Sequence, residues 1–267
     1  MATLIARLTE ALILFAGYFH MKRTLEMAPV QIFSKASALM LKDYKAVTGP
    51  LILGELVFIT SITFYTILYG KMGTVEMAAV TVLVPLQNIT FGLFSGMSTA
   101  AAVLIGHALG RAEGQRAQVL ARAIIKVTTA GALILCLIFA LIMPYYLDLF
   151  ALDSQVLEMA RGLAWMIVLF LPPRVLNMVL GDGIIRSGGE TAFMLKMALF
   201  CLTGIGIPMG VIAGFYLKLP LALVYVAVSI EEIIRMCIGL AKMHSGSWRI
   251  NLTGLSETAK ERECLSL

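Results

Sequence analysis

Six charged residues stand inside apolar stretches of this 267-residue chain: Glu55, Arg174, Asp182, Glu231, Glu232 and Arg235. Glu55 lies about one and a half helical turns past Pro50, in an apolar run, residues 48–69, long enough to cross a bilayer. An ionised carboxylate at bilayer depth costs roughly 2.5 kcal/mol or more on insertion scales, so such residues usually face a bundle interior. The chemistry open to this set is the uptake of positive charge (a proton, Na+ or a cationic group) and its release as an arginine approaches. A static ion pair is the plain alternative. Glu231 and Arg235 fit it, being four apart on a helix, and Glu232 then points elsewhere. Gln87, Asn88 and Asn177 add uncharged polar groups inside apolar stretches. Buried amides need partners, which makes these three candidates for lining a polar cavity.

No catalytic pattern accompanies them. The sequence has no Walker loop, HExxH or GxSxG, and His20, His107 and His244 are scattered. Cys136, Cys201, Cys237 and Cys264 lie far apart without metal-ligand spacing. The glycine run Gly204, Gly206, Gly210 and Gly214 is no dinucleotide loop, because no strand precedes it. The reading is therefore a non-enzyme with no cofactor.

The elements that must position these residues are membrane helices. The chain is 60% hydrophobic and 14% charged, against about 25% charged in soluble domains. The fold class is all-α integral membrane, a polytopic helix bundle with the lipid bilayer as its surroundings. A net charge of +5 is then no sign of nucleic-acid binding. Residues 1–21 read as a leading transmembrane helix. A signal peptide is the rival, but no small-x-small cleavage site follows before Lys22 and Arg23. Residues 22–46 read as an amphipathic linker, residues 47–243 as six spans, and residues 244–267 as a polar tail. The spans are expected at about 47–70, 79–108, 118–143, 158–185, 193–216 and 219–243. Fifteen of the 21 lysines and arginines fall on one side of this topology and four on the other, with Arg174 and Arg235 inside spans. The rich side is cytoplasmic by the positive-inside rule, which places the C-terminus there. Pro172 and Pro173 predict a kink, and Gly92 and Gly96 predict close helix packing.

Several stretches are similar to those of multidrug and toxic compound extrusion (MATE) transporters. NMVLGDGIIRSGGET, 177–191, resembles the end of that family's tenth helix and the loop after it. Residues 70–117 resemble the seventh-to-eighth helix region, Pro50 and Glu55 the start of the seventh helix, and Ser245–Trp248 with Asn251 and Leu252 the end after the twelfth. The resemblance covers roughly residues 1–255 and rests on the order and spacing of these stretches. It implies a sixth helix, a linker and a six-helix C-terminal lobe of a twelve-helix fold. The first five helices would then belong to a longer reading frame, or a second chain would supply the other lobe. It also implies efflux of cationic or amphipathic small molecules in exchange for Na+ or H+. Glu55 matches the acidic seventh-helix position. The acidic tenth-helix position of some members falls on Val175, and Asp182 is not its equivalent. Glu190 is expected to cap the loop or pair with Arg186. Arg174 and Arg235 are the expected partners of Glu55 in an alternating-access cycle. A lipid-linked oligosaccharide flippase of the same superfamily is the nearest alternative. A seven-helix receptor is a second, but the chain lacks the aspartate-arginine-aromatic triplet and NPxxY-like end expected of one.

Overall fold

The computed structural model describes residues 2–24 and 38–249. Residues 1–41 and 42–267 form two compact units. The first contains α1 (Ala2–Thr24), a single helix whose exposed Arg7 and Glu10 pair at 2.7 Å. α2 (Ala38–Met72) enters the second, which holds every remaining element. These are α3 (Thr74–Gly110), α4 (Gly114–Asp148), α5 (Ser154–Met178), α6 (Thr191–Ala198), α7 (Ile207–Val211) and α8 (Leu221–Ser245). Among the described residues there is no strand.

All six expected spans are present as helices. Five described stretches are long and apolar enough to cross a membrane: residues 44–72, 74–110, 114–148, 154–188 and 191–216. α8 is of similar length but carries Glu231, Glu232 and Arg235. The chain is thus an all-α, multi-pass membrane protein. Its outer surface is apolar where a soluble protein would be polar. On α4, Leu133, Leu137 and Leu141 are each more than half exposed, while Ala132, Leu135, Phe139 and Met143 on the opposite face are buried. Spacings of three and four put each set on one face of a helix. Apolar residues on both faces fit a helix with lipid on one side and protein on the other.

The bundle is built around α5. It packs against α3, α4 and α8, and 61% of the most apolar stretch of its span is buried, against 28% or less in the other four. α2 is at the other extreme, with 11% of that stretch buried. Leu68, Leu83, Leu163, Val175 and Val224 are among the residues of the main core. A second cluster joins Ile105, Ala117, Leu180, Ile184, Met243 and Trp248 at one end of the bundle.

Two spans leave regular α geometry. α5 continues as a π-helical stretch, Val179–Ile185, and a short 3₁₀ turn, Arg186–Gly188. The span 191–216 alternates α6, a π stretch Leu199–Gly206, α7 and a π stretch Ile212–Tyr216. π turns occur mostly as insertions in α-helices and frequently at functional sites. α5 runs through Pro172 and Pro173, where the kink is expected, and the change of helix type begins at Val179.

The structure corrects one further expectation and adds detail at the linker and the tail. Within the stretch read as a linker, 22–46, α1 runs on to Thr24 and α2 begins at Ala38, while residues 25–37 lie outside the described residues. Among the described residues Gly92 and Gly96 do not mediate close packing, since a Cβ at either would meet nothing within 4 Å. The close approaches lie in the span 191–216 instead, where a Cβ at Gly210 would stand 2.9 Å from Leu68 and 3.0 Å from Val228. The start of the tail is packed. Trp248 is fully buried, and its indole N–H donates to Gln118 Oε1 (3.1 Å) and Met243 O (3.0 Å). Gln118 Nε2 donates to the same carbonyl at 2.8 Å, and Arg249 Nη1 donates to Gly114 O at 2.8 Å. The segment after α8 is thereby fastened to the start of α4. Residues 250–267 lie outside the described residues.

Two variants test this packing by thermal unfolding in detergent. Gly210→Val is expected to lose about 1–3 kcal/mol by overpacking against Leu68 and Val228, whereas Gly92→Val leaves the midpoint unchanged. Trp248→Ala is expected to lose about 3–5 kcal/mol.

Candidate functional site

A cavity of about 660 Å³ opens in the second unit between α2, α3, α5 with its π continuation, the span 191–216 and α8. That volume is within the usual range for small-molecule sites. All nine residues singled out from the sequence line it: Glu55, Gln87, Asn88, Arg174, Asn177, Asp182, Glu231, Glu232 and Arg235. The helix period brings Arg174 and Asn177 to one wall of α5, three residues apart, and sets Glu231 and Arg235 on one face of α8.

Its centre is an ion pair between α5 and α8. Arg174 presents Nε and Nη2 to Glu232 Oε1, both at 2.8 Å, and Nη1 donates to Gln87 Oε1 at 2.9 Å. The guanidinium lies 5.9 Å from the ring centroids of both Phe91 and Tyr225. Asn177 Nδ2 donates to the backbone carbonyl of Glu232 at 2.7 Å. Side-chain exposure is 22% for Arg174 and 7% for Glu232, so water screens the pair weakly. A charge left alone at such a site is costly, which makes the pair matter less as a source of stability than as a mutual obligation.

Nearer the end of the bundle, Arg186 serves two carboxylates. Its Nη1 donates to Glu55 Oε1 at 3.2 Å and to Asp182 Oδ1 at 3.3 Å, with both acids 54% exposed. This corrects the expected partners of Glu55: it pairs with Arg186 and not with Arg174 or Arg235. Arg174 is held by Glu232. Arg235 stands 4.0 Å from Glu231 Oε2, too far for a hydrogen bond. Glu190 is corrected too, for Lys242 Nζ donates to its Oε1 at 2.8 Å while lying 5.0 Å from the Phe193 ring centroid.

Four side-chain polar atoms at the cavity are buried without a hydrogen-bond partner among the described residues: Tyr65 Oη, Glu231 Oε2, Glu232 Oε2 and Arg235 Nε. Tyr65 reaches across to the π stretch, where a Cβ at Gly206 would collide with its hydroxyl and come 3.2 Å from Glu231 Cγ. Only glycine at Gly206 lets these groups converge. Taken together, the charged lining consists of Glu55, Asp182, Glu231 and Glu232 against Arg174, Arg186 and Arg235. One carboxylate is in excess, and Phe58, Tyr65, Tyr69, Phe91 and Tyr225 supply aromatic surface around it. Such a cavity suits a singly charged cation with an apolar body. Among the described residues no group of three or more His, Cys, Asp or Glu side chains could hold a metal ion.

Sequence reasoning missed Arg186 as the partner of Glu55, and it missed Tyr65, Tyr69 and Tyr225. Tyr65 and Tyr69 are four apart and share a face of α2, a signal that could have placed both on the cavity wall. Arg186 was hidden because the span was expected to end at residue 185.

Arg174→Met is expected to lower stability by about 3–5 kcal/mol by stranding Glu232 in a buried setting. The double variant Arg174→Met with Glu232→Met is expected to recover most of that loss. A double-mutant cycle on thermal midpoints checks both.

A family model described as MatE matches residues 50–212. A probable multidrug resistance protein NorM of Xylella fastidiosa strain Temecula1 is 31% identical over 157 residues, covering 57% of this chain and 32% of the relative. One from Xanthomonas campestris pv. campestris is 30% identical over 148 residues, covering 54% and 31%. The chain covers about a third of the length of these relatives. Among solved structures, a Vibrio cholerae MATE transporter, VcmN in its bent form, aligns with TM-score 0.70 and 17% identity over 79% of this chain and 48% of that one. A MOP superfamily transporter from Pyrococcus furiosus aligns with TM-score 0.66 and 17% identity over the same shares, 79% and 48%.

Proposed function

Because the chain belongs to the MatE family, we propose that it takes part in multidrug efflux, moving cationic or amphipathic small molecules across a membrane in exchange for H+ or Na+. The observation that carries this reading is the cavity itself: an aromatic-lined space with one carboxylate more than its guanidinium groups can neutralise. A coupling ion and a cationic substrate can compete for that unbalanced charge. Glu55 is the switch in this scheme. It sits on α2, the least buried span, and its counter-ion Arg186 is shared with Asp182. Movement of α2 separates Glu55 from Arg186 and leaves the carboxylate to bind H+ or Na+. The ion drives the change only through its different affinity for the two states. The C-terminus is cytoplasmic in this reading, on the lysine and arginine distribution. The rest of a longer protein or a second chain supplies the lobe that faces the cavity, a reading supported by solved relatives about twice as long as the part aligned here.

The test is transport in proteoliposomes carrying the full chain, with and without a co-expressed partner lobe, under an imposed H+ or Na+ gradient. Gradient-dependent ethidium export is expected from the wild type and its loss from Glu55→Gln. Export that ignores the gradient, or a Glu55→Gln protein coupled as tightly as the wild type, overturns the scheme.

A further inference from the structure

The carboxylates of the cavity are not equivalent as acceptors. Glu55 Oε1 already receives a hydrogen bond from Arg186, as does Asp182 Oδ1, and Glu232 Oε1 is held by Arg174. Glu231 differs. Its side chain is 4% exposed, its Oε2 has no hydrogen-bond partner among the described residues, and its nearest cation, Arg235, stands 4.0 Å away. Arg235 therefore offsets part of its charge without occupying the oxygen. Tyr65 Oη is a second unpartnered buried oxygen, brought towards Glu231 over Gly206. Glu232 Oε2 is a third. Against these acceptors the unpartnered buried donors among the described residues are Arg235 Nε–H and the Tyr65 hydroxyl, which can donate as well as accept. A buried carboxylate oxygen with no donor is expensive to keep, and the inner end of the cavity holds more acceptor sites than donors.

We propose that Glu231 and Tyr65 form a subsite for the N–H of a protonated amine. A tertiary ammonium shares its single N–H between Glu231 Oε2 and Tyr65 Oη, primary and secondary ammoniums give each oxygen an N–H of its own, and the apolar body lies against the tyrosine and phenylalanine rings. This rests on the reading that the cavity takes cationic amphiphiles, and it adds a selectivity. A quaternary ammonium carries the same charge and gains the same contact with aromatic faces, but it has no N–H and leaves both oxygens unsatisfied. Discrimination is strongest where a site built for a hydrogen bond meets a ligand that cannot make it. The subsite thus prefers primary, secondary and tertiary amines over their quaternised analogues. That preference is set on α8 and α2, apart from the Glu55–Arg186 pair.

The test compares two fluorescent probes of one skeleton, protonated naphthylmethyl-dimethylamine and naphthylmethyl-trimethylammonium, titrated against the full chain in detergent at neutral pH. The wild type is expected to bind the dimethyl probe about tenfold tighter. Tyr65→Phe is expected to shrink that ratio severalfold with little effect on the trimethyl probe. Glu231→Gln is expected to weaken the dimethyl probe about tenfold or more. Tyr65→Phe keeps the test decisive if Glu231→Gln does not fold. Equal binding of the two probes by the wild type, the outcome if a bridging water satisfies both oxygens, overturns the subsite and leaves the transport reading standing. So does an unchanged ratio in Tyr65→Phe. Binding of neither probe overturns both.

Discussion

The constraint on which the rest of this structure depends is that charge inside a lipid-embedded bundle must be answered from within the protein. Arg174 and Glu232 answer each other between α5 and α8, and everything nearby is arranged to make that contact sufficient. Gln87 takes the guanidinium edge that Glu232 leaves open, the rings of Phe91 and Tyr225 flank it, and Asn177 secures the backbone of the helix that carries Glu232. α5 is the helix best placed to host such a centre, since it touches α3, α4 and α8 at once. The pair fixes the relation of two spans and gives the cavity a rigid wall.

Against that wall stands a much less confined one. α2 buries little of its surface, yet it supplies Pro50, Glu55, Tyr65 and Tyr69 to the same cavity. The span 191–216 is irregular in a different way, with two π stretches and glycines that admit Tyr65 and Leu68. Backbone that departs from the α-helix is tolerated at membrane depth where it lines a cavity or is buried in protein. Here the departures lie beside the cavity, in the stretches bearing Asp182 and Gly206, which fits a wall that changes shape while α5 and α8 stay together.

The helices were legible in the sequence because six apolar runs of spanning length leave few other solutions, and the nine polar positions stood out because lipid penalises them. All nine line one cavity for that reason. Their pairing was not legible. Period and burial place a residue on a face but do not say which arginine on another helix reaches it. Glu55 was assigned to Arg174 or Arg235 because both lie within apolar runs, whereas its partner Arg186 sits one residue past the expected end of a span. Tyr65 escaped notice because an aromatic residue in an apolar run is ordinarily packing. Gly92 and Gly96 misled for the reverse reason: small residues at the right spacing invite a neighbouring helix, and in this bundle that face of α3 meets none.

The sharing of Arg186 has a mechanical consequence. A guanidinium with a single carboxylate loses its only counter-charge when that carboxylate leaves, and the departure is opposed by the whole attraction. A guanidinium with two loses one and keeps the other. In the proposed cycle, Asp182, on the π turn beside it, takes the full attention of Arg186 when Glu55 moves out with α2, and surrenders half of it when Glu55 returns. The cost of opening is then that of redistributing one positive charge between two neighbours, so the helix behaves less like a bolted strut than like a door on a magnetic catch.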